Sequence, residues 1–160
     1  MLKLFDVKKI IFILSILIKV QTFSQLVITF EKAGEQNLRG EHMDSIYHSG
    51  IQADSTLSVF RENEEEYIKA YEQLLQDLGK YLKANEFKWE EPTKGFNRIY
   101  FNENGKIDYF IYSFRTELSE EQKQKFDSLL NQFIKDYQFP LKASCKFAQC
   151  SPVTYMPAEE

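Results

Sequence analysis

Residues that build catalytic and metal centres are scarce in this chain. Its 160 residues include only two cysteines and two histidines. The cysteines, Cys145 and Cys150, lack the Cys-x-x-Cys spacing of thiol–disulfide exchange enzymes. No cysteine lies just after the N-terminal apolar run, so lipid attachment has no acceptor there. Catalytic, metal and nucleotide motifs are also missing, and we expect neither a metal nor another cofactor.

Prolines are also few, and all four lie from Pro92 onward. The sequence has no internal repeat, no Ser/Gly-rich linker and no low-complexity run. It is nevertheless not a disordered composition, because 14 Phe and 9 Tyr supply ample apolar area to bury.

The N-terminus has the three parts of a secretory signal peptide. Residues 1–9 carry three lysines and one aspartate, and Ile10 to Ile18 is almost unbroken aliphatic. Thr22 and Ser24 then place small residues at positions −3 and −1 of a cut before Gln25. We predict that residues 1–24 are cleaved and that the protein is exported, to the periplasm or the extracellular space. The alternative is a retained anchor, but the nine-residue apolar run is short against the roughly 20 residues of a bilayer span.

Processing would make the protein more acidic. Residues 1–24 contain four lysines and one aspartate, so their removal changes the net charge from −4 to −7. Nucleic acids and anionic membranes reward clustered Lys and Arg, so we expect neither as a partner. We expect no stable membrane span after processing, and an envelope or secreted protein as the partner. Residues 25–160 are enough for a single domain with a real core.

The first half of the mature chain contains one clear element. Leu26 to Phe30 is β-branched and predicts a short strand. Residues 31–54 have no clean period and are predicted to be irregular, with one helical turn near Met43 to Tyr47. Three glutamates after Asn63 and an apolar stripe at three- and four-residue steps predict an amphipathic helix from Glu64 to Ala84.

A hairpin is the strongest local signal in the second half. Phe96 to Phe101 and Lys106 to Phe114 predict its two arms, and the turn between them ends in Asn104-Gly105, which tolerates positive φ. The second arm is apolar on both faces, which is typical of a strand covered on both sides or awaiting a partner.

A second helix and a final strand follow the hairpin. Ser119 to Gln122 has the capping-box pattern and starts a helix predicted to end near Tyr137. Alternating apolar residues from Phe139 to Phe147 predict a half-buried strand. Ser151-Pro152 is expected to interrupt it, with residues 153–155 forming a short edge strand and residues 156–160 a tail. The predicted fold class is α+β, a small antiparallel sheet with the two amphipathic helices packed on one face.

Residues 96–156 resemble the C-terminal domain of TonB-type proteins. The similar features are the hairpin with its Asn-Gly turn, one amphipathic helix, the Phe139-Pro140 step and the closing segment from Pro152 to Tyr155. The chain departs from that family in its short apolar run and its lack of a Pro-rich linker, so it could not transduce energy across the envelope in that way. The resemblance implies a small periplasmic module that binds a protein segment by its sheet edge.

Aromatic residues on and near the hairpin are the main candidate binding site. A platform of this kind could hold a peptide, a glycan or a lipid. The alternative is that the long helix packs on this face and buries it. The candidate residues are Trp89, Tyr100, Phe110, Tyr112 and Phe114.

The cysteines and histidines leave two further questions open. Cys145 and Cys150 could form a disulfide in an oxidising compartment, but their opposite parity in a strand requires a turn between them. Otherwise Cys145 is a buried apolar residue and Cys150 a partly exposed thiol. His42 and His48 could serve a secreted hydrolase, although no catalytic pattern surrounds them.

The sequence therefore predicts an exported, non-enzymatic module that binds a protein or peptide. A secreted hydrolase using His42 or His48 is the first alternative. A small-ligand carrier is the second, with residues 31–54 acting as a lid over the aromatic face.

Overall fold

The computed structural model describes residues 25–38 and 40–157, so the predicted signal peptide and the last three residues of the predicted tail lie outside the described residues. The strands are β1 (Leu26–Thr29), β2 (His48–Ser49), β3 (Thr93–Phe101), β4 (Ile107–Phe114) and β5 (Phe147–Tyr155). The helices are α1 (Phe30–Glu35), α2 (Glu41–Ile46), α3 (Glu64–Ala84) and α4 (Glu120–Asp136).

The five strands form one mixed sheet in the order β1-β4-β3-β5-β2. The α+β class is confirmed, but the prediction of a purely antiparallel sheet is wrong. β3 is antiparallel to β4 and β5, whereas β1 runs parallel to β4 and β2 runs parallel to β5. Two parallel strands need a long crossover connection between them. Long segments that contain helices connect β1 to β4 and β2 to β5 along the chain.

Helices cover both faces of this sheet, not one. On the first face, α3 and α4 pack on a core that includes Phe101, Phe110 and Phe147. On the second face, the short helices α1 and α2 contribute Ala33 and Met43 to a smaller core. Because helices cover both faces of the sheet, β4 has apolar residues at both its odd and its even positions.

The segment predicted to be irregular, residues 31–54, holds most of this second layer. It contains five residues of α1, all of α2, and β2. The Thr29 hydroxyl caps α1 by accepting from the amide of Lys32, and the Gly50 amide donates to the carbonyl of Ala148 beside β2. Both helices have only six residues, and an apolar period cannot show in so short a helix.

The two long helices are confirmed. α3 runs from Glu64 to Ala84 as predicted and buries its stripe against the sheet. α4 begins with the predicted capping box, in which the Ser119 hydroxyl accepts from the Gln122 amide and the Gln122 side chain accepts from the Ser119 amide. It ends at Asp136, one residue before the predicted end.

The strand predicted from Phe139 to Phe147 is wrong, because the backbone of this segment pairs with the hairpin turn. The Phe139 amide donates to the Gly105 carbonyl and the Ala143 amide to the Glu103 carbonyl, both at 3.0 Å. Gly105 has φ +83°, and a Cβ there would lie 2.6 Å from the Phe139 carbonyl oxygen. Phe139, Leu141 and Ala143 still reach the first-face core, but from an irregular segment. Phe147 also belongs to that core and is the first residue of β5.

Pro152 lies within β5 and does not interrupt it. The Arg115 amide donates to the Lys94 carbonyl, so even-numbered residues of β3 direct their backbone groups toward β4. In the register of β3 and β5, even-numbered residues pair with even-numbered residues. The backbone groups of even-numbered residues of β5, including Pro152, therefore point toward the outer edge. The amide that Pro152 lacks would point away from the sheet, where proline is tolerated.

Among the described residues, no helix combines the length and the apolar character that crossing a membrane requires.

Candidate functional site

The five aromatic candidates do not share one surface. Phe110 and Tyr112 are buried under α3 and α4 in the first-face core. Tyr100 is buried on the opposite face, where its ring centroid lies 4.9 Å from that of Tyr47. For Phe110 and Tyr112 the structure therefore has the buried arrangement that sequence reasoning set against the platform, whereas Tyr100 is buried on the face that the long helix does not cover.

Trp89 and Phe114 are half-buried at one end of the first-face core. The indole of Trp89 stacks on Tyr155 with ring centroids 4.5 Å apart. The Phe114 ring lies 5.7 Å from Trp89 and 5.1 Å from Phe126. These contacts hold both side chains in one orientation while leaving part of each accessible.

A cleft of about 650 Å³ opens beside Phe114. Its walls are the junction of β1 and α1 (29–32), the end of β4 with the loop after it (112–117), and the start of α4 (120–127). We call it the α1–α4 cleft. It brings together Tyr112 and Phe114 from the candidate set, but not Trp89, Tyr100 or Phe110.

A hydrogen bond fixes the floor of the α1–α4 cleft. The Tyr112 hydroxyl donates to the carboxylate of Asp127, which lies on α4. Burial is the main cause that raises the pKa of Tyr112, and the bond to Asp127 raises it further. The phenol therefore stays protonated and keeps donating at neutral pH. The floor combines the half-buried ring of Phe114 with the Tyr112–Asp127 pair, in which Tyr112 is itself buried.

The rim of the α1–α4 cleft carries charges of both signs. An ion pair joins Lys123 to Glu120 at 2.8 Å, and the other charged residues of the rim are Glu31, Lys32, Arg115 and Glu117. Lys123 is the largest influence that lowers the pKa of Glu120, so the carboxylate stays ionised. Mixed charge suits a ligand that is itself of mixed charge, as most peptide segments are.

The histidines and cysteines lie apart from this cleft. His42 is exposed on α2, and His48 is exposed on β2 beside a separate cavity that Ser49 and Cys150 also line. Cys145 is half-buried and Cys150 exposed, and both are free thiols. Within residues 25–38 and 40–157, no group of three His, Cys, Asp or Glu residues is placed to hold a metal.

Sequence reasoning missed a buried polar cluster on the second face. The carboxylate of Asp108, only 6% exposed, accepts from the Tyr47 hydroxyl at 2.8 Å and from the Lys146 ammonium at 3.1 Å. Desolvation and then Asp108 raise the pKa of Tyr47. An aspartate within an otherwise apolar strand was the available signal, since a buried carboxylate needs partners.

Comparisons with family models, curated proteins and solved structures found no match to this chain. Any function must therefore be inferred from the geometry of the chain itself.

Proposed function

We propose that this protein is an exported, non-enzymatic module that binds an extended segment of another protein in the α1–α4 cleft. The observation that carries the proposal is the meeting of an aromatic floor with a sheet edge. β1 is the outermost strand on its side of the sheet and reaches the cleft at Thr29. Its outer backbone groups have no strand partner within the described part of the chain.

Edge and cleft together fit the two requirements of strand addition. In that binding mode, main-chain hydrogen bonds to an edge strand supply affinity, and a pocket for a side chain supplies specificity. The edge of β1 would supply the first, and the part of the floor formed by the half-buried Phe114 ring would supply the second. The resemblance to TonB-type domains also implies capture by a sheet edge.

The rigidity of the floor supports binding energetically. Tyr112 is held by Asp127, and Phe114 is held by its ring contacts with Trp89 and Phe126. Side chains that are already ordered lose little conformational entropy on association, whereas each mobile side chain costs about 0.5–1.5 kcal/mol.

The outer edge of β5 is the rival site for strand addition. On its outer side, β5 pairs with β2 only at residues 147 and 148. The outer side of residues 150–155 therefore has no strand partner among the described residues and forms a second open edge. Pro152 lies in its middle and removes an outward-facing donor, which is a common device against edge pairing. We therefore favour the edge of β1.

A selection of displayed random peptides tests the proposal. Gln124 is exposed and lines the α1–α4 cleft, so Gln124→Trp should fill it without touching the core. Gln76→Trp, on an exposed turn of α3, is the matched control. Peptides selected on the wild type should lose at least about tenfold in affinity with Gln124→Trp, or 1.4 kcal/mol, and bind Gln76→Trp normally. Peptides that bind both variants equally would refute the proposal.

Carriage of a small ligand is a second candidate, because the volume of about 650 Å³ lies within the usual range of small-molecule sites. Phe30, Glu31 and Lys32 line the α1–α4 cleft, so the start of α1 would act as the lid. Native mass spectrometry of the processed, unreduced protein distinguishes the two. A bound small molecule at stoichiometric mass favours the carrier, and a bare protein removes it.

A further inference from the structure

The carboxylate of Asp127 lines the α1–α4 cleft with one oxygen engaged and the other open. The Tyr112 hydroxyl donates to Oδ1. Oδ2 has neither a hydrogen-bond donor nor a cation as its partner among residues 25–38 and 40–157, and it is not sealed from solvent. Asp127 is half-buried, so its charge has lost part of its hydration without gaining an ion pair. A carboxylate in such a position is costly unless a cation joins it.

The cations around the α1–α4 cleft do not neutralise Asp127. Lys123 precedes it by four residues on α4, a spacing at which side chains on a helix are neighbours. The ammonium of Lys123 instead pairs with Glu120, at 2.8 Å, in the direction away from Asp127. Within the described chain, the rim cations Lys32 and Arg115 also make no ion pair with Asp127. The carboxylate is therefore available to a cation that enters the cleft.

An aromatic ring lies beside this carboxylate. The half-buried ring of Phe114 has its centroid 5.1 Å from that of Tyr112, whose hydroxyl contacts Asp127. Contacts with Trp89 and Phe126 hold the Phe114 ring in place. A ring next to a carboxylate suits a guanidinium, which stacks on aromatic rings and binds carboxylates through a planar fork of donors. A lysine ammonium fits less well, because it is a compact and strongly hydrated point charge.

The position of the α1–α4 cleft relative to the edge of β1 favours a long side chain. Thr29 is paired with Tyr112 in the parallel register of β1 and β4. A segment added to the outer edge of β1 would therefore lie two strand spacings, or about 10 Å, from the backbone of Tyr112. A side chain that reaches from there to the Tyr112–Asp127 pair must be long, and arginine combines an apolar stem with a cationic head.

We propose that the α1–α4 cleft selects a segment that carries an arginine, whose guanidinium pairs with Asp127 and stacks on Phe114. This inference rests on the proposed function and names the side chain that the bound segment supplies. The overall charge is complementary to such a segment, because residues 25–160 carry a net charge of −7. The Tyr112 hydroxyl fixes the orientation of the carboxylate in advance, so pairing with a cation costs little further ordering.

Peptides from the displayed random library test the inference. Those that bind the wild type and lose affinity with Gln124→Trp should be enriched in arginine. The tightest of them is then synthesised with arginine, lysine or citrulline at the enriched position, since citrulline keeps the shape of arginine but is neutral. Isothermal titration calorimetry measures the three affinities. We expect the citrulline peptide to bind the wild type at least about tenfold more weakly than the arginine peptide, or 1.4 kcal/mol, with the lysine peptide between them.

Two variants with the same change of charge show which carboxylate the arginine meets. Asp127→Asn keeps an acceptor for the Tyr112 hydroxyl but removes the charge, so it should remove the preference for arginine over citrulline. Glu72→Gln, at an exposed position of α3 outside the α1–α4 cleft, is the matched control and should keep the full preference. Circular dichroism confirms that both variants are folded.

The inference and the proposed function fail in different ways. The inference alone is overturned if the cleft-dependent peptides lack arginine, if the citrulline peptide binds the wild type as tightly as the arginine peptide, or if Asp127→Asn keeps the full preference. Each of these results leaves peptide binding in the α1–α4 cleft intact. Selected peptides that bind Gln124→Trp as tightly as the wild type would refute binding in the cleft, and this inference with it.

Discussion

The Phe110→Ala substitution tests whether Phe110 lies in the buried core or on an exposed binding platform. Phe110 is 0% exposed at the centre of β4, where it is paired with Val27 of β1 and Ile99 of β3. Removal of a buried Phe side chain costs about 3–5 kcal/mol through lost transfer free energy and the cavity left behind. Total stabilities are about 5–15 kcal/mol, so this is a large part of the free energy of unfolding.

Urea unfolding of the processed protein, followed by circular dichroism, measures this cost. We expect Phe110→Ala to lower the midpoint strongly without changing the slope. Phe114→Ala should cost less, because Phe114 is half-buried. A Phe110→Ala variant that loses under about 0.5 kcal/mol would refute the buried arrangement, since an effect of that size is typical of exposed positions.

Three further predictions concern stability and association. Asp108→Ala should lower the free energy of unfolding by about 1–3 kcal/mol in the same urea assay, because the buried Tyr47 hydroxyl loses its acceptor. Burial raises the pKa of Tyr100 to about 12, so this side chain loses its proton at a lower pH in the unfolded chain than in the folded protein. The free energy of unfolding should therefore fall between about pH 10 and pH 12. Urea unfolding at several pH values should show a shallower fall for Tyr100→Phe. Pro152→Val should promote self-association in analytical ultracentrifugation, because it adds an outward-facing amide to the unpartnered edge of β5; a variant as monomeric as the wild type would contradict this.

The elements that sequence reasoning located are those with a local signal. α3 and α4 each have an apolar stripe of more than two turns, α4 also has its capping box, and Gly105 fixes the hairpin turn. In each case the residues that determine the element lie within or directly beside it, so no tertiary contact is needed to predict it.

The elements that were missed depend on contacts distant in sequence. α1 was missed and α2 was predicted only as one helical turn near Met43 to Tyr47, because both helices are too short for a period and are stabilised by packing on the second face of the sheet. The segment from Phe139 to Phe147 alternates like a strand, but its amides pair with the hairpin turn about 35 residues earlier. Likewise, Pro152 reads as a breaker unless the register shows that it faces an outer edge.

The candidate site was predictable only in its chemistry. An excess of aromatic residues on β4 indicated a surface of interest, but alternation alone could not show which side α4 would cover. Of the five candidates, Tyr112 and Phe114 line the α1–α4 cleft because α4 begins beside them and its first turns form the opposite wall. Asp127, which anchors Tyr112, has no signal of its own in the sequence.

Hydrogen exchange of a complex with a selected peptide tests binding at the α1–α4 cleft most directly. We expect slower amide exchange at residues 26–32 and 113–117, which form the edge of β1 and the cleft beside it, with exchange at residues 150–155 unchanged. Slower exchange confined to residues 150–155 would refute binding at the α1–α4 cleft and place the peptide on the outer edge of β5.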